Sequence, residues 1–258
     1  MEHTNHPLIA LWAHPRSMST ATERIMRERG DLDCAHEPFM YDYYVHRKAG
    51  AMPHFDVLAD HPTTYADIRD MLVKRAQAGP VFFKDMAYYV LPYLPGDPEF
   101  AHRMQHVFLI RSPEAAMASY YRLDPAFSSE EVGIDAQWHL LEALDSMGIK
   151  TVVIRSEDIR NNPKGMMAAL WAKLDLPDAP QAFDWAGDVP EDWGQVASWH
   201  TAASTSSGIK PMAPDHATRA HESFEAAAQE APHLRDWLAH HQPYYDRLSA
   251  RALTPPKG

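Results

Sequence analysis

The stretch Leu8–Arg29, LIALWAHPRSMSTATERIMRER, changes its hydrophobic period once and decides our interpretation of the fold. Its first six residues, 8–13, form a continuous apolar run, which is typical of a short strand buried on both faces. After a polar turn, apolar positions recur at helical spacing until Gly30, a residue type that commonly ends helices. A strand, a turn and a helix in this order direct backbone N–H groups and a helix dipole towards an anion.

The polar turn supplies side chains that suit a phosphate or a related anion. They are small, hydroxylated or cationic: Arg16, Ser17, Met18, Ser19 and Thr20. The turn does not match the triphosphate-binding loop G-x-x-x-x-G-K-[ST], because it contains neither glycine nor lysine. A serine-rich N-cap on an ordinary helix would explain the same residues. This stretch alone does not decide between an anion site and a helix cap.

Composition narrows the class of protein. The chain has 258 residues and a formal net charge of −11, which argues against a nucleic-acid partner and requires any anion site to focus positive charge locally. Cys34 is the only cysteine, and the 16 histidines show no metal-ligand spacing, so we predict neither a disulfide nor a metal site. His240 and His241 are expected on a helix surface. With no apolar run of about 20 residues and no signal-peptide pattern, the expectation is a cytoplasmic protein without a transmembrane segment.

Four further strands are predicted, ending near His36 and at 81–85, 105–111 and 150–155. Helices are predicted between them and beyond them, at 63–78, after Ser112, at 128–147, 163–174, 215–229 and 232–250. The alternation implies an α/β fold in three layers, with a mostly parallel central sheet flanked by helices. We expect a single domain, 1–258, with a loop-rich segment at 176–214 and C-terminal helices within 215–250.

Polar groups follow several of these strands. Arg16, Glu37, the pair Lys84-Asp85, and Arg111 each lie where a strand ends, and parallel strands end at one edge of a sheet. We expect Pro38 to hold the residue before it in an extended conformation. Ser119 lies eight residues after Arg111, so the two side chains could together hold a second phosphate.

Aromatic and polar residues without a clear period fill positions 40–55, and more follow the third strand. The candidates for contacts with a substrate are Tyr41, Tyr44, His46, Asp85 and Tyr88. A packed surface loop at 40–55 is the alternative interpretation.

Three motifs resemble those of sulfotransferases that use 3′-phosphoadenosine 5′-phosphosulfate. Residues 15–20, PRSMST, are similar to the 5′-phosphosulfate loop P-[KR]-S-G-[ST]-T. Residues 110–113, IRSP, with Ser119, resemble the 3′-phosphate motif R-[DN]-P with its later serine, and 156–163, SEDIRNNP, resembles Y-E-D-L…P. The resemblance implies an α/β fold of the P-loop nucleotide-binding type. It also implies 3′-phosphoadenosine 5′-phosphosulfate as co-substrate, with no metal, and a small-molecule acceptor.

The resemblance assigns roles to matching residues and also shows departures. It implies that Arg16, the hydroxylated loop and Lys84 bind the leaving group, and that Arg111 and Ser119 bind the 3′-phosphate. Met18 replaces the glycine of the loop. Met86 stands where cytosolic members have a histidine base, so Glu37 is the expected base, with Asp85 as the runner-up. The usual adenine-side loop is missing, and Ser207, Gly208 and Lys210 are the candidates to replace it.

Two other functions stay open at this point. An ATP-dependent phosphotransferase on the same fold is one, although the missing glycine and lysine weigh against it. A nucleotide-binding protein without turnover is the other. The sequence does not identify the acceptor hydroxyl. It also leaves the oligomeric state open, and a homo-oligomer is one alternative.

Overall fold

The central sheet of the protein is parallel throughout its described part. The computed structural model describes residues 6–185, 189–197, 199 and 204–254. In it, five strands pair in the order β2-β3-β1-β4-β5. Their bounds are β1 Leu8–Ala13, β2 Asp33–His36, β3 Val81–Met86, β4 Met104–Ile110 and β5 Thr151–Arg155. The first strand is central and fully buried, which explains its unbroken apolar sequence.

Helices cover both faces of the sheet. They are α1 Ser19–Glu28, α2 Tyr65–Arg75, α3 Ala87–Val90, α4 Pro98–His102, α5 Pro113–Tyr121, α6 Ile134–Ser146, α7 Ser156–Asn161, α8 Pro163–Lys173, α9 His216–Glu230 and α10 His233–Ala250. Single turns of 3₁₀-helix occur at Leu94–Gly96, Glu130–Val132, Pro180–Phe183 and Glu191–Val196, and a π-helix at Tyr41–His46. Among the described residues, no helix has both the length and the apolar character needed to cross a membrane.

Alternate residues of β1 enter two separate hydrophobic cores. Leu8 and Trp12 belong to the larger core, and Ile9 and Leu11 to the smaller one, which includes residues of α1 and α8. Two cores on opposite faces of one sheet make three layers. The predicted α/β architecture with its parallel sheet is therefore confirmed.

Three local predictions were wrong. The helix predicted at 128–147 is divided, because Gly133 has a φ of 72° and separates the turn Glu130–Val132 from α6. Pro38 does not hold Glu37 extended, since Glu37 has a φ of 43°. His241 is not on a helix surface but fully buried.

The segment 40–55 is not simply a surface loop. Its first residues form the π-helix Tyr41–His46, and Tyr41, Asp42 and Tyr43 of that helix are buried. Hydrophobic periodicity did not indicate this element because a π-helix has neither the period of an α-helix nor that of a strand.

A buried histidine joins the two central strands. Trp12 donates from its Nε1–H to Nδ1 of His106 at 2.9 Å, and His106 donates from Nε2–H to the carbonyl oxygen of Ala101 at 2.9 Å. Burial lowers the pKa of His106 to about 4, so the ring is neutral at pH 7.

We expect His106 to make the protein less stable as the pH falls. The unfolded chain takes up a proton near pH 6.5, whereas the folded chain resists it until about pH 4. Between these values the unfolded state binds more protons, so this group costs about 1.4 kcal/mol of stability per pH unit as pH decreases. In urea unfolding, His106→Gln should flatten that slope, since glutamine can keep both hydrogen bonds without titrating.

His139→Gln is the matched control, because His139 is half exposed on α6. Equal pH slopes for His106→Gln and the wild type would contradict the assignment.

Candidate active site

The turn between β1 and α1 has an uncommon backbone conformation. Arg16 and Met18 have φ angles of 63° and 72°, in the left-handed region that glycine adopts most easily. The N–H group of Ser17 donates to the carbonyl oxygen of His14 at 3.2 Å and closes the turn. Met18 is also the N-cap residue of α1, so the unpaired N–H groups of the first helical turn begin here. Met18 thus adopts a conformation that glycine favours. The motif that this turn resembles has glycine at the same position.

His14 connects this turn to the second anion motif. Its Nε2 accepts a hydrogen bond from the N–H group of Arg111 at 3.1 Å, which leaves Nδ1–H to donate to the carbonyl oxygen of Pro15 at 3.1 Å. Burial and the charge of Arg111 lower the pKa of His14 to about 3, so the ring is neutral. The sequence analysis did not identify His14, and its position directly after β1 is the signal that could have found it.

The two guanidinium groups that the motifs predicted lie close together. Arg111 donates from Nη1 to the carbonyl oxygen of Arg16 at 2.7 Å. Arg16 donates from Nε to the hydroxyl of Ser119 at 3.2 Å and from Nη1 to the carbonyl oxygen of Trp199 at 3.2 Å. All these acceptors are uncharged, so none of them neutralises a guanidinium.

Positive charge accumulates at this end of the sheet. Within the described residues, neither Arg16 nor Arg111 forms an ion pair with a carboxylate. Burial and the neighbouring Arg122 lower the pKa of Arg16. Burial lowers the pKa of Arg111 to about 10, with Arg160 and Arg16 adding to the effect and Glu157 opposing it. A cluster of cations that repel one another and lack counterions favours a bound anion.

Glu37 lies at the carboxyl end of β2, beside the end of β3. Its N–H group donates to the carbonyl oxygen of Lys84 at 2.9 Å, and its carboxylate forms an ion pair with the Lys84 ammonium. Both side chains are buried. Asp85 accepts a hydrogen bond from the N–H group of Phe39 at 2.8 Å, so it holds the turn that follows Glu37. Burial and the nearby Glu37 raise the pKa of Asp85.

A second buried carboxylate orients the histidine next to Glu37. His36 donates from Nδ1–H to Glu23 at 2.6 Å, and its Nε2 lies 3.8 Å from Oε1 of Glu37. Glu23 also accepts from the indole N–H of Trp193 at 3.0 Å. Burial and the charge of Lys84 lower the pKa of His36, so its ring is neutral. This neutral ring lies next to the Glu37–Lys84 ion pair. The sequence analysis missed Glu23 and His36 as a pair because they lie on different elements.

A cavity of about 350 Å³ opens between these groups. Most of the residues that the sequence predicted for a site line it: Arg16, Met18, Ser19, Thr20, Glu37, Tyr44, Lys84, Tyr88, Arg111, Gly208 and Lys210. The anion turn, the Glu37–Lys84 pair and the segment after 203 thus share one cavity.

Other predicted site residues lie outside the lining of this cavity. They are Ser17, Tyr41, His46, Asp85, Ser119 and Ser207. Ser119 still contacts Arg16, and Ser17 is buried under the turn. The Tyr41 hydroxyl donates to Gln195 at 2.6 Å, and Gln195 does not line the cavity either. Of the loop-rich segment at 176–214, residues 186–188, 198 and 200–203 lie outside the described part.

The cavity also has an aromatic wall. We use this name for Tyr44, Met52, Met86, Tyr88, Tyr89, Tyr120 and Trp199. The sequence analysis did not assign Met52, Tyr120 or Trp199 to the site. Met52 lies in the segment 40–55 and Tyr120 directly follows Ser119, but no motif distinguished them. Arg160, on α7 after the last strand, was missed as well and lines the same cavity.

Comparisons with known proteins give a consistent result. A family model described as a sulfotransferase domain matches residues 8–252. A curated relative, branched-chain-amino-acid aminotransferase-like protein 1 of Arabidopsis thaliana, is 23% identical over 252 residues, covering 96% of this chain and 44% of that protein. This chain therefore spans less than half of that relative's length. Among solved structures, the sulfotransferase domain from the curacin biosynthetic pathway has the same fold. It matches with a TM-score of 0.57 and 15% identity, over 90% of this chain and 99% of that one.

Met18 provides a test of the turn's backbone strain. A left-handed non-glycine residue costs about 1–2 kcal/mol, and glycine does not carry that cost. We therefore expect Met18→Gly to be more stable than Met18→Ala by about 1 kcal/mol in urea unfolding. The two variants lose the same thioether contacts, so alanine is the matched control. If Met18→Ala were as stable as Met18→Gly, the turn would not be strained.

Proposed function

The chain belongs to the sulfotransferase domain family, and we propose that it transfers a sulfuryl group from 3′-phosphoadenosine 5′-phosphosulfate to a hydroxyl of a small apolar acceptor. One observation carries this proposal. Two partly buried arginines, neither of which pairs with a carboxylate among the described residues, line the same cavity as a buried Glu37–Lys84 pair. This combination offers an anion site next to a candidate base. We also propose that residues 1–258 form one domain.

The donor's phosphates would bind at the arginines. The 5′-phosphosulfate would be bound by Arg16, Lys84, the hydroxyl of Thr20 and the N–H groups that begin α1. Arg111 would bind the 3′-phosphate, which distinguishes this donor from ATP. Ser119 would keep Arg16 in place through the hydrogen bond to Nε, and this supports a positioning role for the serine.

The transfer itself is an in-line displacement at sulfur. The acceptor oxygen forms a bond to sulfur while the bond from sulfur to the bridging phosphate oxygen breaks. Glu37 takes the acceptor's hydroxyl proton, a step worth about 10²–10⁴-fold for a well-placed base. The negative charge that grows on the leaving phosphate is stabilised by Arg16 and Lys84, which lie in the same cavity. The scheme uses no metal at the reacting atoms.

The aromatic wall favours an apolar acceptor. Its side chains are four tyrosines, a tryptophan and two methionines, which present large apolar areas together with the tyrosine hydroxyls, and such surfaces bind ligands chiefly by burying apolar area. Glu37 lines the same cavity, so a hydroxyl on the acceptor can reach the carboxylate while its carbon skeleton contacts the wall. We therefore propose a phenol or a hydroxylated hydrocarbon rather than a sugar.

Calorimetric titration with 3′-phosphoadenosine 5′-phosphate tests the donor. We expect micromolar binding by the wild type, weaker binding of AMP, and a loss of about 10–150-fold in Arg111→Ala, because a charged hydrogen bond contributes about 1.5–3 kcal/mol. Arg235→Ala is the matched control, since Arg235 is exposed, pairs with Glu225 and does not line the cavity.

Tight magnesium-dependent binding of ATP, with none of the bisphosphate, would instead indicate a phosphotransferase. Bisphosphate binding without sulfuryl transfer to any acceptor would indicate a binding protein without turnover.

Substitution of the two carboxyls tests the base. With labelled donor and a panel of phenols and aliphatic alcohols, Glu37→Gln should lower kcat by about 10²–10⁴-fold and keep the affinity for the bisphosphate. Asp85→Asn, which retains an oxygen to accept from Phe39, should keep most of the turnover. The reverse result would assign the base to Asp85 and overturn the role of Glu37.

A further inference from the structure

Two consecutive histidines on α10 meet an aspartate of α6. Nε2 of His240 lies 3.1 Å from Oδ2 of Asp135, and Nδ1 of His241 lies 3.5 Å from Oδ1 of the same carboxylate. The nitrogen and oxygen atoms of the three side chains all lie within 4.8 Å of one another. Asp135 and His240 are 105 positions apart, which is why the sequence showed no ligand spacing.

The ring of His241 is buried and one of its nitrogens lacks a partner. Its side chain is 0% exposed, and Nδ1 takes part in no hydrogen bond among the described residues. Nε2 lies 3.0 Å from the carbonyl oxygen of Ser129, so this nitrogen carries the proton and donates it. The lone pair of Nδ1 therefore faces a carboxylate oxygen of Asp135. Nδ1 and Oδ1 are both acceptors and lie 3.5 Å apart, so a cation between them would give Nδ1 the partner that it lacks, while Oδ1 also accepts from the N–H group of Ala136 at 2.7 Å.

A histidine that donates its other N–H to a backbone carbonyl is the arrangement in which imidazole binds metals. The carbonyl fixes the tautomer and directs the free lone pair at the ion.

The distances agree with a tetrahedral ion. Ligand atoms at about 2.0–2.1 Å from zinc are about 3.3 Å apart. The two measured nitrogen–oxygen separations, 3.1 and 3.5 Å, lie on either side of this value. We propose that Asp135, His240 and His241 form a site for a divalent transition metal, with zinc the best match to two imidazoles and a carboxylate.

The metal would join α10 to the start of α6. Gly133, which precedes α6, packs closely against Tyr88 and His14, so the clamped helix start lies next to residues that support the candidate active site. The metal site is separate from that cavity, whose lining contains none of its three ligands. Its role would be structural, and it does not depend on the proposed reaction.

The test is equilibrium dialysis of untagged, chelator-treated protein against zinc chloride. The wild type should bind one equivalent of zinc that His240→Ala and Asp135→Asn do not bind. Zinc should also raise the melting temperature of the wild type but of neither variant, since a ligand that binds only the folded state stabilises it. Cobalt(II) in place of zinc should give the intense visible bands of a tetrahedral site. His240 is half exposed, so its removal leaves the buried core in place.

His221→Ala is the matched control, because His221 is an exposed histidine that contacts Glu114 at 3.1 Å, on another surface. It should bind zinc like the wild type. Equal zinc binding and equal thermal shifts in wild type, His240→Ala and Asp135→Asn would overturn the proposal. So would the absence of bound zinc in the wild type, which would leave a shared proton as the cation between His241 and Asp135.

Discussion

The partly buried guanidinium groups of Arg16 and Arg111 are the constraint around which this molecule is organised. A cation removed from water is costly unless a counterion or several acceptors surround it. Among the described residues, the acceptors of their hydrogen bonds are neutral, namely the Ser119 hydroxyl and the carbonyl oxygens of Arg16 and Trp199, and Glu157 only partly offsets the effect of burial on the pKa of Arg111. A bound anionic ligand would therefore supply the negative charge next to these guanidinium groups. A chain with a net charge of −11 thus concentrates its positive potential in one cavity.

The opposite solution is used only one strand away. Lys84 is buried as well, but Glu37 neutralises it within the protein. Removing one member of such a pair is far more damaging than never having it, because the survivor is an uncompensated buried charge. Glu23 and His36 form a further layer behind the pair with an imidazole that burial keeps neutral. The site therefore combines cations that need an external partner with a cation whose partner is built in.

Local sequence patterns were sufficient for the fold and for much of the cavity lining. The apolar run 8–13 predicted the central strand because a fully buried parallel strand has no polar face. The three motifs in order indicated the family, which the match over 8–252 confirms. Patterns failed where a contact joins distant elements. His14 forms a hydrogen bond with the backbone of Arg111, and His36 forms one with Glu23. Neither pair can be recognised from its spacing in the sequence. The sequence also did not predict two backbone conformations, because Glu37 and Met18 have left-handed φ angles that their residue types disfavour.

The central place of β1 also has a consequence for how the chain folds. The strand is made first, yet it pairs with β3 and β4, and the bond from Trp12 to His106 joins residues 94 positions apart. The strand β4 is not complete until residue 110, and no neighbour in the sheet is available until the chain has been made as far as β3, which ends at residue 86. Until then an apolar segment of six residues has nothing to pair with inside its own chain. Non-local pairing of this kind slows folding, and the exposed strand is a site for pairing between chains. During synthesis, β1 therefore needs protection from aggregation, although it is fully buried in the folded protein.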